Sequence, residues 1–336
     1  MNQIQLAGEV ITSANYTTQK LFYCGPKTVC KAAQNFLTCG ITEIEIPQAV
    51  LNPDNHSDTG CDKQLLTQTI NGLPKETKVI ATYLSGNKLG VDNDAYVQMH
   101  KKTLNDLFEY FPDMKYAMLH PGSKTLTDPQ DINGMVDAYA QLAEYATSLR
   151  KDFQLCFHNH YDSNGETAPQ MRTFLSAIEK VNLPSLRWGL DTGQSHGMGD
   201  EYITILDEYA HLIGDYVHLK GRVPAFDKGH GGDEYQADRD IWSNTGVGGG
   251  GLYGGFVNMA DPENVTPLDK IFKIIREKSC PASGIVHGAL EIDNPRQHPR
   301  LEILCATLFL KNVHGIESAQ ALSNDQMIAN VFKTNK

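Results

Sequence analysis

No apolar run in the 336-residue sequence approaches the roughly 20 residues that a membrane span needs. The opening stretch, MNQIQLAGEVITSANY, lacks the basic-then-apolar layout of a secretory signal. No CxxC occurs, and the seven cysteines, at 24, 30, 39, 61, 156, 280 and 305, are odd in number and scattered. That pattern offers no disulfide framework, so reduced thiols and a cytoplasmic location are expected. Positive charge is in the minority, with 29 Lys and Arg against 40 Asp and Glu, a net charge of −11. An acidic surface repels phosphate backbones and anionic lipid, so neither nucleic acid nor membrane is expected as a partner. No GxGxxG follows the first apolar run, which counts against a dinucleotide-binding open sheet.

What is present is a rhythm. Eight short apolar runs alternate with amphipathic stretches: 3–11, 41–47, 78–86, 115–122, 153–160, 186–193, 215–221 and 284–293. Nearly continuous apolar runs are what strands buried on both faces require. Between them lie stretches such as 131–149, with Met135, Val136, Tyr139, Leu142 and Tyr145 at helical spacing. Eight strand-then-helix units predict one closed parallel (β/α)8 TIM barrel over 1–336, with no composition break for a second domain. Two segments interrupt the rhythm. Residues 222–265 form a long insertion after strand seven, carrying GVGGGGLYGGF at 246–256. Its length and glycine content predict a lid over the ligand, with Tyr253 and Phe256 available to cover it. The tail, 313–336, is polar and partly helical.

In such a barrel the active site lies where the strands end and the βα loops gather. Costly polar residues fall at those ends. Strand four leads into His120 and Lys124. Strand five ends in His158-Asn159-His160, with Glu166 close behind. Strand six ends in Asp191-Thr192-Gly193-Gln194, strand seven in His218-Leu219-Lys220, and strand eight in Glu291. A charge or imidazole after a buried run must be paired, metal-bound or solvated by a pocket. Carboxylates plus imidazole on successive strands suit a divalent ion: Mn²⁺ foremost, with Mg²⁺, Co²⁺ or Zn²⁺ as alternatives. Each residue also has a structural explanation. His218 can be a satisfied core histidine, Asp191 can cap the next helix, Glu291 can pair with Lys220 or Lys124, and His120 and Lys124 can be plain loop residues.

The stretches FHNHYDSNGET (157–167), GLDTGQSHGMGDEYITILDEYAHLIGDYVHLKG (189–221) and GALEID (288–293) resemble the xylose-isomerase-like barrels, the sugar phosphate isomerase/epimerase superfamily. The resemblance spans about 115–311 and reaches the first three units only in rhythm. It implies metal ligands Glu166, Asp191, His218 and Glu291. Many relatives carry the strand-five Glu near the place of His158; Glu166, a few residues later, is the natural substitute, with His160 as the alternative. Relatives also carry a histidine where Gln194 stands, and His196 lies nearby. The motifs are most similar to inosose dehydratases and the α subunits of C-glycoside deglycosidases. That implies proton abstraction next to a ketone of a sugar, inosose or 3-oxo sugar, followed by isomerisation, epimerisation or β-elimination.

The roles expected are these. His158 or His160 is the base, because imidazole is poised near neutral pH and a metal-bound carboxylate loses basicity. Glu291 is the competing base. Lys220 or His120 neutralises charge on substrate oxygens, and His120, Lys124, Gln194 and His196 contact the substrate. The partner is a small sugar or glycoside, with a second copy or a small accessory subunit possible. A non-catalytic sugar-binding or scaffolding barrel is the rival expectation, and it requires the metal constellation to be vacant.

Overall fold

The computed structural model describes residues 1–10, 25–47, 60–86, 88–122, 129–160, 163–222, 256–292 and 297–333. Eight strands form the barrel: β1 (Gln3–Glu9), β2 (Glu43–Pro47), β3 (Lys78–Leu84), β4 (Tyr116–Leu119), β5 (Gln154–His158), β6 (Leu186–Gly189), β7 (Tyr216–Leu219) and β8 (Ile285–Leu290). Each falls inside one of the eight apolar runs. Among the described residues each strand is followed by a helix: α1 (Pro26–Leu37), α2 (Lys63–Gly72), α3 (Asn93–Tyr110), α4 (Pro129–Leu149), α5 (Ala168–Val181), α6 (Tyr202–Glu208), α7 (Leu268–Lys278) and α8 (Pro299–His314).

The strands pair in parallel in the order β6-β5-β4-β3-β2-β1-β8-β7. The seam between β6 and β7 is closed by two isolated parallel bridges, Trp188–Ile213 and Asp191–His218. Two expected site residues therefore stand at the point where the barrel closes.

Two cores follow from burying both faces of the strands. Outside lies a large apolar layer between sheet and helices. For example, α7 buries Leu268, Ile271, Phe272, Ile274 and Ile275 on one face, the spacing of an amphipathic helix. Inside lies a small cluster of Ala7, Ile80, Ala81, Tyr116, Met118, Cys156, Tyr216 and Ala289. Tyr116 and Tyr216 stack there at 5.2 Å and 20°, making a floor. Above that floor, toward the C-terminal ends of the strands, the interior turns polar.

Local signals set the helix ends. The Asp62 side chain accepts from the Gln64 and Leu65 amides at the start of α2, and α8 stops at Gly315 with φ of 64°. The tail packs back on the barrel. Residues Glu317–Ser318 pair with β1, and the terminal helix α9 (Asn324–Phe332), capped by Ser323, buries Met327 and Val331. Cys30, Cys39, Cys61, Cys156, Cys280 and Cys305 are free thiols. Among the described residues no helix is long and apolar enough to cross a membrane.

Most of the expected lid, 223–255, lies outside the described residues. Its two ends do not. Gly221–Arg222 pairs antiparallel with Phe256–Val257 just beyond β7, so the insertion leaves and rejoins the barrel at the C-terminal mouth.

Candidate active site at the barrel mouth

Donor atoms of His158, Asp191 and His218 lie within 4.8 Å of one another, and all three residues are buried. They come from the end of β5, the turn after β6 and the interior of β7. His158 Nε2 is 3.9 Å from Asp191 Oδ2. His218 Nδ1 is 4.0 Å from the same oxygen and 2.7 Å from Glu291 Oε2, the latter from the residue following β8. The Lys220 ammonium, fully buried, sits 3.3 Å from Asp191 Oδ2 and 2.9 Å from Glu291 Oε1.

Asp191 divides its carboxylate between two tasks. Oδ1 accepts from the Gly193 and Gln194 amides, each at 2.8 Å, which pins the turn leading into the 3-10 helix Gln194–Glu201. Oδ2 faces the histidines and Lys220 and accepts no well-formed hydrogen bond among the described residues. One oxygen holds the turn and the other faces the site. Asn159 holds this turn in place. Its Oδ1 accepts from the Asp191 amide at 2.9 Å and from Trp188 Nε1 at 3.2 Å, and its Nδ2 donates to the Asp191 carbonyl at 3.0 Å.

Gly193 serves by having no side chain. A Cβ there would stand 2.8 Å from Lys220 Cγ, so the lysine stem passes across the glycine to reach the carboxylates. The Lys220 ammonium also lies 4.7 Å from the centre of the Phe256 ring, which brings one end of the insertion onto the site.

The cavity beside these residues is lined by Glu9, Glu45, Pro47, Tyr83, His158, His160, His218 and Glu291. His160 packs its ring 4.4 Å from that of His120 and 5.5 Å from that of His158. His120 accepts from the Gly122 amide through Nδ1 at 3.1 Å. Glu166 and Gln194 are buried; Glu166, His160 and Glu291 all stand outside the His158–Asp191–His218 group, Glu291 reaching it through His218. Lys124 and the side chain of His196 lie outside the described residues.

The first half of the barrel contributes two acids that the sequence reading passed over, Glu9 on β1 and Glu45 on β2. Glu45 Oε2 is 2.9 Å from His218 Nε2. The available signal was a charged residue inside an otherwise apolar run, ITEIEIP.

Burial sets the electrostatics. It pushes His158 well below its ordinary pKa, reinforced by His218 and His160. It does the same to His160, reinforced by His120 and Lys220. Burial also works against a charged His218, yet Glu45 and Glu291 more than offset this and hold that ring well above its ordinary value. Glu291 is held well below, against burial, by Lys220 and His218. Asp191 is raised by burial, with Lys220 opposing.

Among the described residues, four buried carboxylates, Glu9, Glu45, Asp191 and Glu291, thus share one mouth with the Lys220 ammonium and the His218 ring. Unpaired buried negative charge is costly. Oδ2 of Asp191, Oε2 of Glu291 and Nδ1 of His218 are all buried without a well-formed hydrogen bond among the described residues. With the His158 imidazole beside them, they make a donor set of two imidazoles and two carboxylates, which fits a divalent cation of borderline hardness.

No family model matches the sequence, and no curated protein sequence matches it. Solved structures match it through the fold. What they share with it is the (β/α)8 barrel. An IOLI protein with a bound zinc atom superposes over 98% of this chain and 100% of its own, with TM-score 0.60 and 14% identity. The probable 3-DHS dehydratase AsbF from Bacillus anthracis, involved in petrobactin synthesis, covers 92% of this chain and 100% of its own, with TM-score 0.59 and 14% identity. A D-allulose 3-epimerase from Methylomonas sp., solved with D-allulose, covers 98% and 95%, with TM-score 0.55 and 13% identity.

Proposed function

We propose that this protein is a divalent-metal-dependent enzyme that removes the proton next to a carbonyl of a sugar or 3-oxo-sugar substrate. The outcome is isomerisation, epimerisation or β-elimination. The observation that carries this reading is the convergence of His158, Asp191 and His218 within 4.8 Å at the barrel mouth, with Glu291 2.7 Å from His218. Similarly folded proteins include a probable 3-DHS dehydratase and a D-allulose 3-epimerase, which supports this substrate class.

His158, Asp191, His218 and Glu291 would hold the ion, with His158 in the strand-five role that the sequence reading gave to Glu166. Two nitrogen donors favour Mn²⁺, Co²⁺ or Zn²⁺ over Mg²⁺. Such an ion polarises a substrate carbonyl and acidifies the adjacent C–H. His160 remains as the base, since it lines the cavity without belonging to the ligand group. Glu291 is the competitor for that role. Lys220, already beside Asp191 and Glu291, offsets their charge, and His120 stacks behind His160.

A second reading draws on Lys220. Its ammonium pairs with both Asp191 and Glu291 and offsets part of their charge without any ion, as a non-catalytic sugar-binding barrel would require. Metal analysis together with turnover separates the two. The enzyme reading expects one ion per chain and metal-dependent turnover of a ketose, an inosose or a 3-oxo glycoside. His160→Asn should then keep the ion and lose turnover, whereas His158→Ala should lose both. A protein that takes up no ion and turns over none of these would overturn the enzyme reading.

A further inference from the structure

Glu45 lies on β2, across the barrel from His218 and 173 residues away in sequence, yet its Oε2 is 2.9 Å from His218 Nε2. Both side chains are almost completely buried, at 1% and 2% exposure. The strand geometry aims it there. Ile44 pairs with Val79 but Glu45 with Ala81, so the ladder between β2 and β3 skips a residue at this point. Such irregularities beside active sites redirect side chains. The Tyr83 ring stacks on the His218 ring at 6.3 Å and 24°, and the Tyr216 ring meets it near a right angle at 6.0 Å. The imidazole plane is therefore held from two sides while Glu45 grips one nitrogen.

The consequence concerns the other nitrogen. A carboxylate only accepts hydrogen bonds, so Nε2 carries a proton toward Glu45, and without an ion Nδ1 carries one toward Glu291; a cation among Asp191 and Glu291 would displace the Nδ1 proton and leave the one that Glu45 holds. Nδ1 is the nitrogen that faces Asp191 and Glu291, at 4.0 and 2.7 Å. An imidazole binds a cation only through a nitrogen free of its proton, and the bond made by the other nitrogen decides which one that is.

We infer that Glu45 is a positioning residue of the metal centre: its bond to Nε2 fixes the tautomer and direction of His218, so that Nδ1 is the donor presented to the ion. The inference rests on the metal-centre reading above and adds to it a residue from the half of the barrel that supplies no ligand. It also compensates chemically for the replacement of a strand-five carboxylate by His158. A carboxylate behind an imidazole raises that ligand's basicity and returns negative charge to the centre.

The test uses zinc, a diamagnetic probe, on the full chain. Zinc affinity is measured by competition with a chromophoric chelator for wild type and Glu45→Gln. In parallel, ¹⁵N-histidine spectra of the zinc-loaded wild type report which nitrogen of His218 binds. The expected results are zinc bound through Nδ1 with a proton on Nε2, and an affinity about 10- to 100-fold weaker in Glu45→Gln at unchanged stoichiometry. Wild-type zinc binding through Nε2 would overturn the inference, and this measurement does not depend on the variant folding. So would a Glu45→Gln affinity within about two-fold of wild type; in that case the metal centre stands and only the role of Glu45 falls. A wild type that binds no zinc would remove both.

Discussion

The shared carboxylate of Asp191 makes a two-variant experiment informative. Asp191→Ala removes both tasks of the side chain. The buried Gly193 and Gln194 amides lose a charged acceptor at 2.8 Å each. Leaving two buried donors unpaired costs about 3 kcal/mol. Asp191→Asn keeps an oxygen where Oδ1 stands and removes only the charge facing the site. There the lost attraction to Lys220 is set against the lower cost of burying a neutral group, leaving a net change of about 1 kcal/mol or less. At about 2.1 cal/mol/K per residue, a chain of 336 residues converts about 3 kcal/mol into roughly 4 °C. In chelated protein, calorimetry should therefore show Tm lower by roughly 4 °C for Asp191→Ala and by under about 2 °C for Asp191→Asn. Metal uptake should be lost in both. Equal destabilisation by the two variants would refute the division of labour. An ion retained by Asp191→Asn would refute the ligand assignment.

Acidification should weaken the metal-free protein. Burial lowers His100 from 6.5 to about 4 and holds His158 and His160 well below their ordinary values. These rings take up protons below pH 6.5 only when the chain unfolds, so their contribution is present above pH 6.5 and lost as pH falls. His218 acts in the opposite sense, contributing below pH 6.5 and losing that contribution as pH rises. Urea midpoints should drop between pH 6.5 and 4, and His100→Gln should flatten the profile by up to about 3 kcal/mol; an unchanged slope would count against the assignment. Gly189→Ala would place a Cβ 2.6 Å from Met118 Sδ and 2.7 Å from Cys156 Cβ. Overpacking of this order costs about 1–3 kcal/mol, visible as a Tm lower by roughly 1–4 °C. Asn159→Ala should weaken metal affinity without removing a ligand, because the turn carrying Asp191 loses its clamp, and a chelator competition would show it.

The barrel was legible because strands buried on both faces spell themselves as apolar runs, and eight of them leave few topologies. The second half of the site was legible for a related reason. His158, Asp191, His218 and Glu291 each interrupt such a run near its end, where a charge is otherwise costly. Glu45 and Glu9 break the same rule, but the first three units resembled known barrels only in rhythm. A strand apolar on both faces also carries no pattern that says which residues point inward. Spacing could not choose between Glu166 and His160 as the strand-five ligand, since that depends on whether the chain has left the strand before the residue arrives. His158 is the last residue of β5 and still points at the centre. Asn159 was passed over because it lies between two more conspicuous residues, and its partner turn is on the neighbouring strand.

The central claim is proton abstraction next to a carbonyl, and solvent exchange reads it directly. The metal-loaded protein would be incubated in deuterium oxide with ketoses, inososes and 3-oxo glycosides, and the recovered substrates examined by NMR for deuterium at the carbon beside the carbonyl. The account predicts deuterium incorporation that depends on the ion and disappears in His158→Ala and in His160→Asn, the latter with its ion still bound. Binding of these compounds without exchange, in a protein carrying its full complement of metal, would contradict it.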